Sequence, residues 1–265
     1  MQVEPTTPVS YRLPIGEEAI ELNGFLGSQI KIEFTGNIYC LECARKTNKS
    51  FNQGYCFPCL QSLAACDLCI VKPELCHYKK GTCREPSWGE ANCIQPHIVY
   101  IANSSGLKVG ITRASQVPTR WIDQGAVQAL PIFEVDSRLQ SGLVEVVLKG
   151  YLSDRTEWRA MLKGEPLPLD LVVERQRIYR EAESELAVCR ARIGGDSMRP
   201  VLDEQESRFR YPIDDYPVKI VSHNLDKKPL VQGYLQGIKG QYLIFDTGVL
   251  NVRKFGGYEV NFFSH

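Results

Sequence analysis

The sequence predicts an α/β (α+β) fold in which strands near both ends flank a cysteine-rich module and a segment of alternating strands and helices. Three observations lead to this fold class. Apolar and polar residues alternate along short stretches at both ends of the chain, which is typical of half-buried strands. Nine of the ten cysteines lie between Cys40 and Cys93. After them, short apolar runs alternate with stretches of helix-forming residues.

The composition excludes several classes of protein. The 265 residues are 43% hydrophobic and 23% charged, and 31 basic side chains balance 31 acidic ones. These values exclude a disordered chain, a collagen and a wholly basic nucleic-acid coat, so any basic surface must be local. No apolar stretch approaches the roughly 20 residues of a membrane-spanning helix, and the N-terminus has no secretory signal. We therefore expect a cytoplasmic protein without a membrane segment.

The two ends of the chain are predicted to contribute similar strands. Residues 1–39 form an N-terminal β region, and residues 208–265 form a C-terminal β domain. A leucine followed by two glycines and a strand occurs in both regions, so we expect them to build one small flanking β-barrel or sheet. The predicted strands are 20–22, 30–34, 218–222, 230–237, 241–246, 249–253 and 258–262.

The cysteine-rich module, residues 40–96, begins with a complete set of metal ligands. Cys40 and Cys43 form one CxxC pair, and Cys56 and Cys59 form a second. In a reducing compartment such clustered cysteines indicate metal binding rather than disulfides. Four thiolates from two such pairs suit tetrahedral zinc.

The rest of the module offers more ligands than a second site needs. The pool is Cys66, Cys69, Cys76, His77, Cys83, Cys93 and His97. The spacing does not select four ligands among them. We predict two structural zinc ions, with an iron–sulfur cluster as the alternative. Because the module is rich in turn residues and poor in core, bound metal is expected to fold it.

Residues 97–165 are predicted to alternate between strands and helices. A hairpin comes first, because two apolar stretches flank a polar turn. The predicted order is strands at 98–101 and 107–111, a helix from 118, a strand at 132–135 and a helix at 141–152.

This order of elements, with four particular residues in it, resembles the GIY-YIG nuclease superfamily over residues 97–160. Those residues are Tyr100, Lys108 in Lys-Val-Gly, Arg120 and Glu145. The resemblance is closest to a branch in which lysine replaces the second tyrosine. It implies a GIY-YIG-like domain in which Tyr100 and Lys108 orient or deprotonate water and Arg120 faces the developing charge. Glu145 would hold Mg²⁺ or Mn²⁺.

The whole chain also resembles a bacterial family catalogued only as a domain of unknown function. The stretches that carry this second resemblance are 49–55, 81–86, 107–113, 119–126 and 237–243. The resemblance is closer than the first one, but it implies no activity.

Residues 166–195 are predicted to form a connecting helix. The segment 169–193 has strong helix formers and no internal glycine or proline, and Gly194 ends it. Its surface is dense with glutamate and arginine. We therefore expect it to be solvated.

These features predict a zinc-containing, cytoplasmic protein that binds DNA or RNA and acts as a divalent-metal-dependent phosphodiesterase of the GIY-YIG type. Two alternatives stay open. One is a non-catalytic nucleic-acid or ribosome binder that keeps only the fold. The other is a zinc-stapled adaptor between proteins. Salt-sensitive binding to nucleic acid separates the adaptor from the other two functions.

Overall fold

The computed structural model describes residues 1–203 and 205–264, which contain three β-sheets and seven α-helices. The fold is mixed α+β, as predicted. The strands are β1 (Gln2–Glu4), β2 (Ser10–Ile15), β3 (Glu18–Glu21), β4 (Gln29–Tyr39), β5 (Lys46–Thr47), β6 (His97–Asn103), β7 (Leu107–Arg113), β8 (Gln128–Val135), β9 (Met198–Pro200), β10 (Ser207–Arg208), β11 (Leu230–Lys239), β12 (Tyr242–Phe245), β13 (Gly248–Asn251) and β14 (Tyr258–Ser264). The helices are α1 (Phe57–Ser62), α2 (Pro86–Cys93), α3 (Thr119–Asp123), α4 (Arg138–Leu148), α5 (Trp158–Lys163), α6 (Leu171–Glu181) and α7 (Glu183–Ile193).

Both ends of the chain contribute to one curled six-stranded sheet. Its order is β13-β12-β11-β4-β14, and the short β5 also pairs with β4. Register shifts within β11 and β14 mark bulges, which bend strands and increase their twist. The structure has an open sheet rather than a barrel, since its strand order runs from one edge to another. The strand predicted at 20–22 is not part of it, because β3 pairs with β2 in a separate three-stranded sheet, β1-β2-β3.

The strand predicted at 218–222 is wrong. This stretch runs as a loop in the described chain, and its Ser222 makes an isolated bridge to Val249. Val218 is 95% exposed, so its apolar side chain has no facing layer to pack against. The other predicted C-terminal strands are present with slightly different bounds.

A second, antiparallel sheet lies between helices. Its order is β10-β8-β6-β7, with β9 also paired to β8. Every residue of β6 is buried, because both faces of this central strand are covered. Val99 and Ile101 pack in one cluster with residues of α4, α6 and α7, whereas Tyr100 and Ala102 pack in another with Trp121 of α3.

Residues 169–193 do not form the single solvated helix that the sequence predicted. The helix breaks at Ala182, where φ is −100° and ψ is 12°. Leu171, Ile178 and Leu186 are buried in the cluster that covers β6 and β8. These buried residues form a narrow apolar stripe among many charged ones. The charged residues led to the prediction of a solvated helix, whereas the structure has two helices that pack on the sheet.

The cysteine-rich module consists of short turns of helix around α1 and α2. Several of its apolar side chains are exposed, including Leu41, Phe57, Leu68 and Val71. Such a segment gains little stability from apolar burial. None of the helices in residues 1–203 and 205–264 combines the length and hydropathy needed to cross a membrane.

Candidate functional site

The first four cysteines of the module converge on one point. The sulfur atoms of Cys40, Cys43, Cys56 and Cys59 all lie within 4.8 Å of one another. The Cys43 and Cys56 sulfurs are 3.7 Å apart. A tetrahedral zinc ion with Zn–S bonds of about 2.3 Å places its sulfurs roughly 3.8 Å apart. The cluster could therefore hold zinc as it stands.

Two local structures bring these cysteines together. β4 and β5 form a hairpin whose turn contains Cys40 and Cys43, and Ala44 in that turn has a positive φ of 54°. Cys56 immediately precedes α1, which carries Cys59 in its first turn. Burial raises the pKa of the Cys40 thiol, but backbone N–H groups that donate to its sulfur outweigh burial and lower that pKa to about 6. A thiolate is the form that binds metal.

The cluster is also joined to the six-stranded sheet. Tyr39, the last residue of β4, donates its backbone N–H to the carbonyl of Gly257 at 2.7 Å. A Cβ atom at Gly257 would stand 2.2 Å from the Tyr39 carbonyl oxygen, and one at Gly256 would stand 2.3 Å from the Gln53 carbonyl oxygen. Only glycine allows this close approach. The geometry of the cluster is therefore tied to the end of the sheet.

The remaining candidate ligands separate into three places. Cys69, Cys76, Cys83 and Cys93 line one small cavity together with His77. The Cys66 sulfur instead accepts a hydrogen bond from Asn52 Nδ2 at 3.5 Å. His97 lies at the start of β6, where its Nδ1 contacts the Gln95 carbonyl at 2.7 Å. The CxxC pair formed by Cys66 and Cys69 in the sequence is thus divided between two environments.

Two of the four residues assigned to catalysis contact one glutamine, and a third lies beside them. Tyr100 of β6 donates its hydroxyl to Gln124 Oε1 at 3.0 Å, and the Lys108 ammonium of β7 donates to the same oxygen. Arg120 of α3 lies close enough to the Tyr100 hydroxyl to lower its pKa, against the larger effect of burial. Gln124 directly follows α3, so the hairpin and the helix meet at this point.

Glu145 reaches the same region from α4. Ser137 caps this helix by accepting the backbone N–H of Gln140, and the buried face of the helix includes Glu145. Lys149 Nζ lies 3.4 Å from Glu145 Oε2 and 3.1 Å from Asp154 Oδ2. The carboxylate of Glu145 also interacts electrostatically with Lys108 and Tyr100. The four side chains therefore share one cluster, which we call the Tyr100–Glu145 cluster.

Burial sets the protonation of this cluster. It raises the pKa of Tyr100 to about 12, against the opposing effect of Arg120. Burial, and after it the neighbouring charge of Arg120, lower the pKa of Lys108 to about 8. Burial raises the pKa of Glu145, and the positive charge of Lys149 opposes this rise. A lysine with a pKa near 8 has a neutral amine fraction that can accept a proton.

Sequence reasoning missed two residues that belong to this region. Gln124 has no motif of its own, and its role appears only when β6, β7 and α3 meet. Arg253, from the loop after β13, lies close enough to Arg120 for the two charges to repel each other. It is separated from Arg120 by more than a hundred residues, so only the packing of the two sheets could reveal it.

One known family matches the part of the chain that contains both the cysteine cluster and the Tyr100–Glu145 cluster. Residues 27–260 match the sequence model of a family described as protein of unknown function (DUF2797). The chain belongs to this family. The match confirms the predicted whole-chain resemblance to an uncharacterised family. Searches of curated proteins and of solved structures found no match to this DUF2797 chain.

Gly110→Ala should disturb the Tyr100–Glu145 cluster of this DUF2797 chain. Gly110 pairs with Tyr100 across β6 and β7, and a Cβ atom there would stand 2.7 Å from both Cζ and Oη of Tyr100. We expect the free energy of unfolding to fall by about 1–3 kcal/mol, because the ring has no room to move. Chemical denaturation measures this loss. Gly195→Ala is the control, because nothing lies near its Cβ position; equal stability of both variants would contradict the prediction.

Proposed function

We propose that the chain is a zinc-containing, cytoplasmic nucleic-acid-binding protein whose residues 97–165 act as a divalent-metal-dependent phosphodiesterase of the GIY-YIG type. The first zinc ion would be held by Cys40, Cys43, Cys56 and Cys59, and its role would be structural. Mg²⁺ or Mn²⁺ would be bound at Glu145. The substrate class is DNA or RNA.

The observation that carries this proposal is the convergence of the side chains that the superfamily resemblance singles out. They come from four elements that are separate in the sequence, β6, β7, α3 and α4. Phosphodiester cleavage needs a group that orients or deprotonates water, a cation against the developing charge, and a carboxylate for a metal ion. Tyr100 with Lys108, Arg120 and Glu145 supply these groups in that order.

The charges around the cluster favour a phosphate ligand. Arg120 in α3 and Arg253 after β13 lie close enough for their guanidinium groups to repel each other. The Asp123 carboxylate lies near both and balances one of the two positive charges, so a bound anion would balance the other. Phosphate oxygens accept two N–H groups from one guanidinium, so arginine pairs of this kind suit a nucleic-acid backbone.

A second candidate function is a binding module without catalysis. Tyr100 is fully buried and Lys108 is 4% exposed. Both donate to Gln124, which occupies the position that a water or phosphate oxygen would need. In this alternative the cluster stabilises the domain, and Arg120 with Arg253 still contacts phosphate.

Binding to labelled nucleic acid at several salt concentrations tests the proposal at its broadest level. Fluorescence anisotropy with single- and double-stranded DNA and RNA would give the dissociation constant at each salt concentration. We expect log K to fall linearly with log salt concentration, because bound phosphates release counterions. Absence of binding to all four probes at low salt would contradict both candidates and favour the adaptor between proteins.

The rate of cleavage should depend on pH through Lys108. Its lowered pKa of about 8 means that the neutral amine increases as the pH rises toward 8 and is nearly complete above it. If this amine is the base, the single-turnover rate should rise about tenfold per pH unit below 8 and then level off. Lys108→Met should lose this rise. An unchanged pH profile in the variant would exclude lysine as the base.

A further inference from the structure

The second half of the cysteine-rich module contains a cavity surrounded by thiols. We propose that this cavity is a second structural zinc site with four thiolate ligands and no histidine ligand. The ligands are Cys69, Cys76, Cys83 and Cys93. The sequence offered seven candidates for this site, and these four cysteines line the same cavity.

The size of the cavity fits one ion. Its volume is about 10 Å³, which is close to the smallest space that holds one water molecule. Zinc, which takes four sulfur ligands in a tetrahedron, suits both the volume and the donors.

Three of the four thiols around the cavity influence one another's ionisation and share a neighbouring cation. The Cys76 and Cys93 thiols shift each other's pKa, and burial and the charge of Cys76 both raise the pKa of Cys69. The Arg138 guanidinium lies near all three of these sulfurs. Four thiolates on zinc carry a net charge of −2, so a neighbouring guanidinium would stabilise the bound state.

Cys83 comes from the loop before α2, where its thiol lies 3.4 Å from the Glu85 carbonyl oxygen. Its sulfur lies 3.1 Å from the Cβ position of Gly89, so the missing side chain at Gly89 leaves room for it beside the helix. Cys93 is at the C-terminal end of the same helix. The loop and α2 therefore supply one half of the ligands, and the turns around Cys69 and Cys76 supply the other half.

Hydrogen bonds around Asp67 separate the ligand Cys69 from its neighbour Cys66. Asp67 Oδ1 accepts the backbone N–H of Cys69 at 3.1 Å, and Arg84 Nε lies 2.8 Å from Asp67 Oδ2. This turn directs Cys69 into the cavity, while the Cys66 sulfur contacts Asn52. Cys66 is therefore outside the proposed ligand set although it belongs to a CxxC motif.

His77 also lines the cavity, but both of its ring nitrogens face oxygen atoms. Nδ1 lies 2.8 Å from Thr82 Oγ1, and Nε2 lies 3.6 Å from Asp67 Oδ2. Ligand atoms of Asp67, Cys69 and His77 lie within 4.8 Å of one another, so His77 is the residue that competes with sulfur for the ion. We assign the coordination sphere to sulfur because both ring nitrogens of His77 already face Thr82 and Asp67.

The proposed ion would support the helix that carries Glu145. Arg138, the first residue of α4, donates to the backbone carbonyls of Cys69 and Ile70. A Cβ atom at Gly142 in the same helix would stand 2.5 Å from the backbone nitrogen of Glu74. The turns around the cavity therefore form the surface on which α4 packs.

The test is the zinc content of the full chain and its variants, measured by elemental analysis after exhaustive dialysis. We expect two zinc ions per wild-type chain and one per chain in Cys76→Ser and Cys93→Ser. Cys66→Ser is the matched control and should keep two, as should His77→Ala. Loss of an ion in Cys66→Ser or His77→Ala, or two ions retained in Cys76→Ser and Cys93→Ser, would overturn the ligand set.

Zinc X-ray absorption of the wild-type chain makes the test independent of whether a variant folds. Two all-sulfur sites should give four sulfur neighbours per zinc at about 2.3 Å and no nitrogen neighbour. A nitrogen contribution near 2.0 Å would place a histidine in the site and contradict the proposal. One zinc per wild-type chain, or iron in place of zinc, would contradict it as well.

Discussion

Glu145→Gln should reduce metal-dependent cleavage of nucleic acid by about 100- to 1000-fold while binding persists. The amide keeps the shape of the side chain but removes the charge that a divalent ion needs. Arg120→Ala should weaken both cleavage and binding, since a guanidinium contacts phosphate before and during the reaction. Single-turnover cleavage and anisotropy, measured on the same preparations, separate the two effects.

The control for this change is Glu183→Gln, the same substitution at an exposed position in α7. It should cleave like the wild type. If the wild type and Glu145→Gln cleave equally, the activity belongs to another site or to a contaminant. In that case the non-catalytic binding module becomes the better account of the Tyr100–Glu145 cluster.

Cys56→Ser should remove the zinc ion from the first cluster and unfold this half of the module. Cys56 is buried at the start of α1, and its sulfur lies 3.7 Å from that of Cys43. Structural zinc contributes on the order of 10 kcal/mol to folding, and the surrounding turns have little apolar core to replace it. Zinc content, thermal unfolding and limited proteolysis between residues 40 and 60 measure the expected loss.

Cys189→Ser is the matched control, because Cys189 is buried in α7, where it packs in the cluster over the second sheet. It should keep its zinc and lose only the modest stability that a buried hydroxyl costs. If Cys56→Ser keeps full zinc content and resists the protease like the wild type, the first cluster does not hold a structural ion.

Elements with strong local patterns could be predicted from the sequence. The alternation in β4 and the turn residues between β6 and β7 determine these strands locally, and the spacing of Cys40, Cys43, Cys56 and Cys59 is that of a complete metal site. Each of these features depends on residues close together in the chain.

Other features depend on contacts between distant segments. Cys66 and Cys69 look like a ligand pair in the sequence. In the structure, hydrogen bonds of Asp67 and Asn52 hold their sulfurs in two different places. The role of Gln124 requires β6, β7 and α3 to be in place first. The break at Ala182 likewise follows from packing on the second sheet. Helix propensity depends on local sequence only, so it could not predict this break.

The most direct test of the proposed function is incubation of the purified wild-type chain with end-labelled single- and double-stranded DNA and RNA. Each reaction contains Mg²⁺, Mn²⁺ or a chelator that leaves the structural zinc in place, and zinc content is measured afterwards. The account predicts cleavage of at least one substrate with Mg²⁺ or Mn²⁺ and none with the chelator. Intact substrates under every metal condition, with zinc-loaded and folded protein, would contradict it.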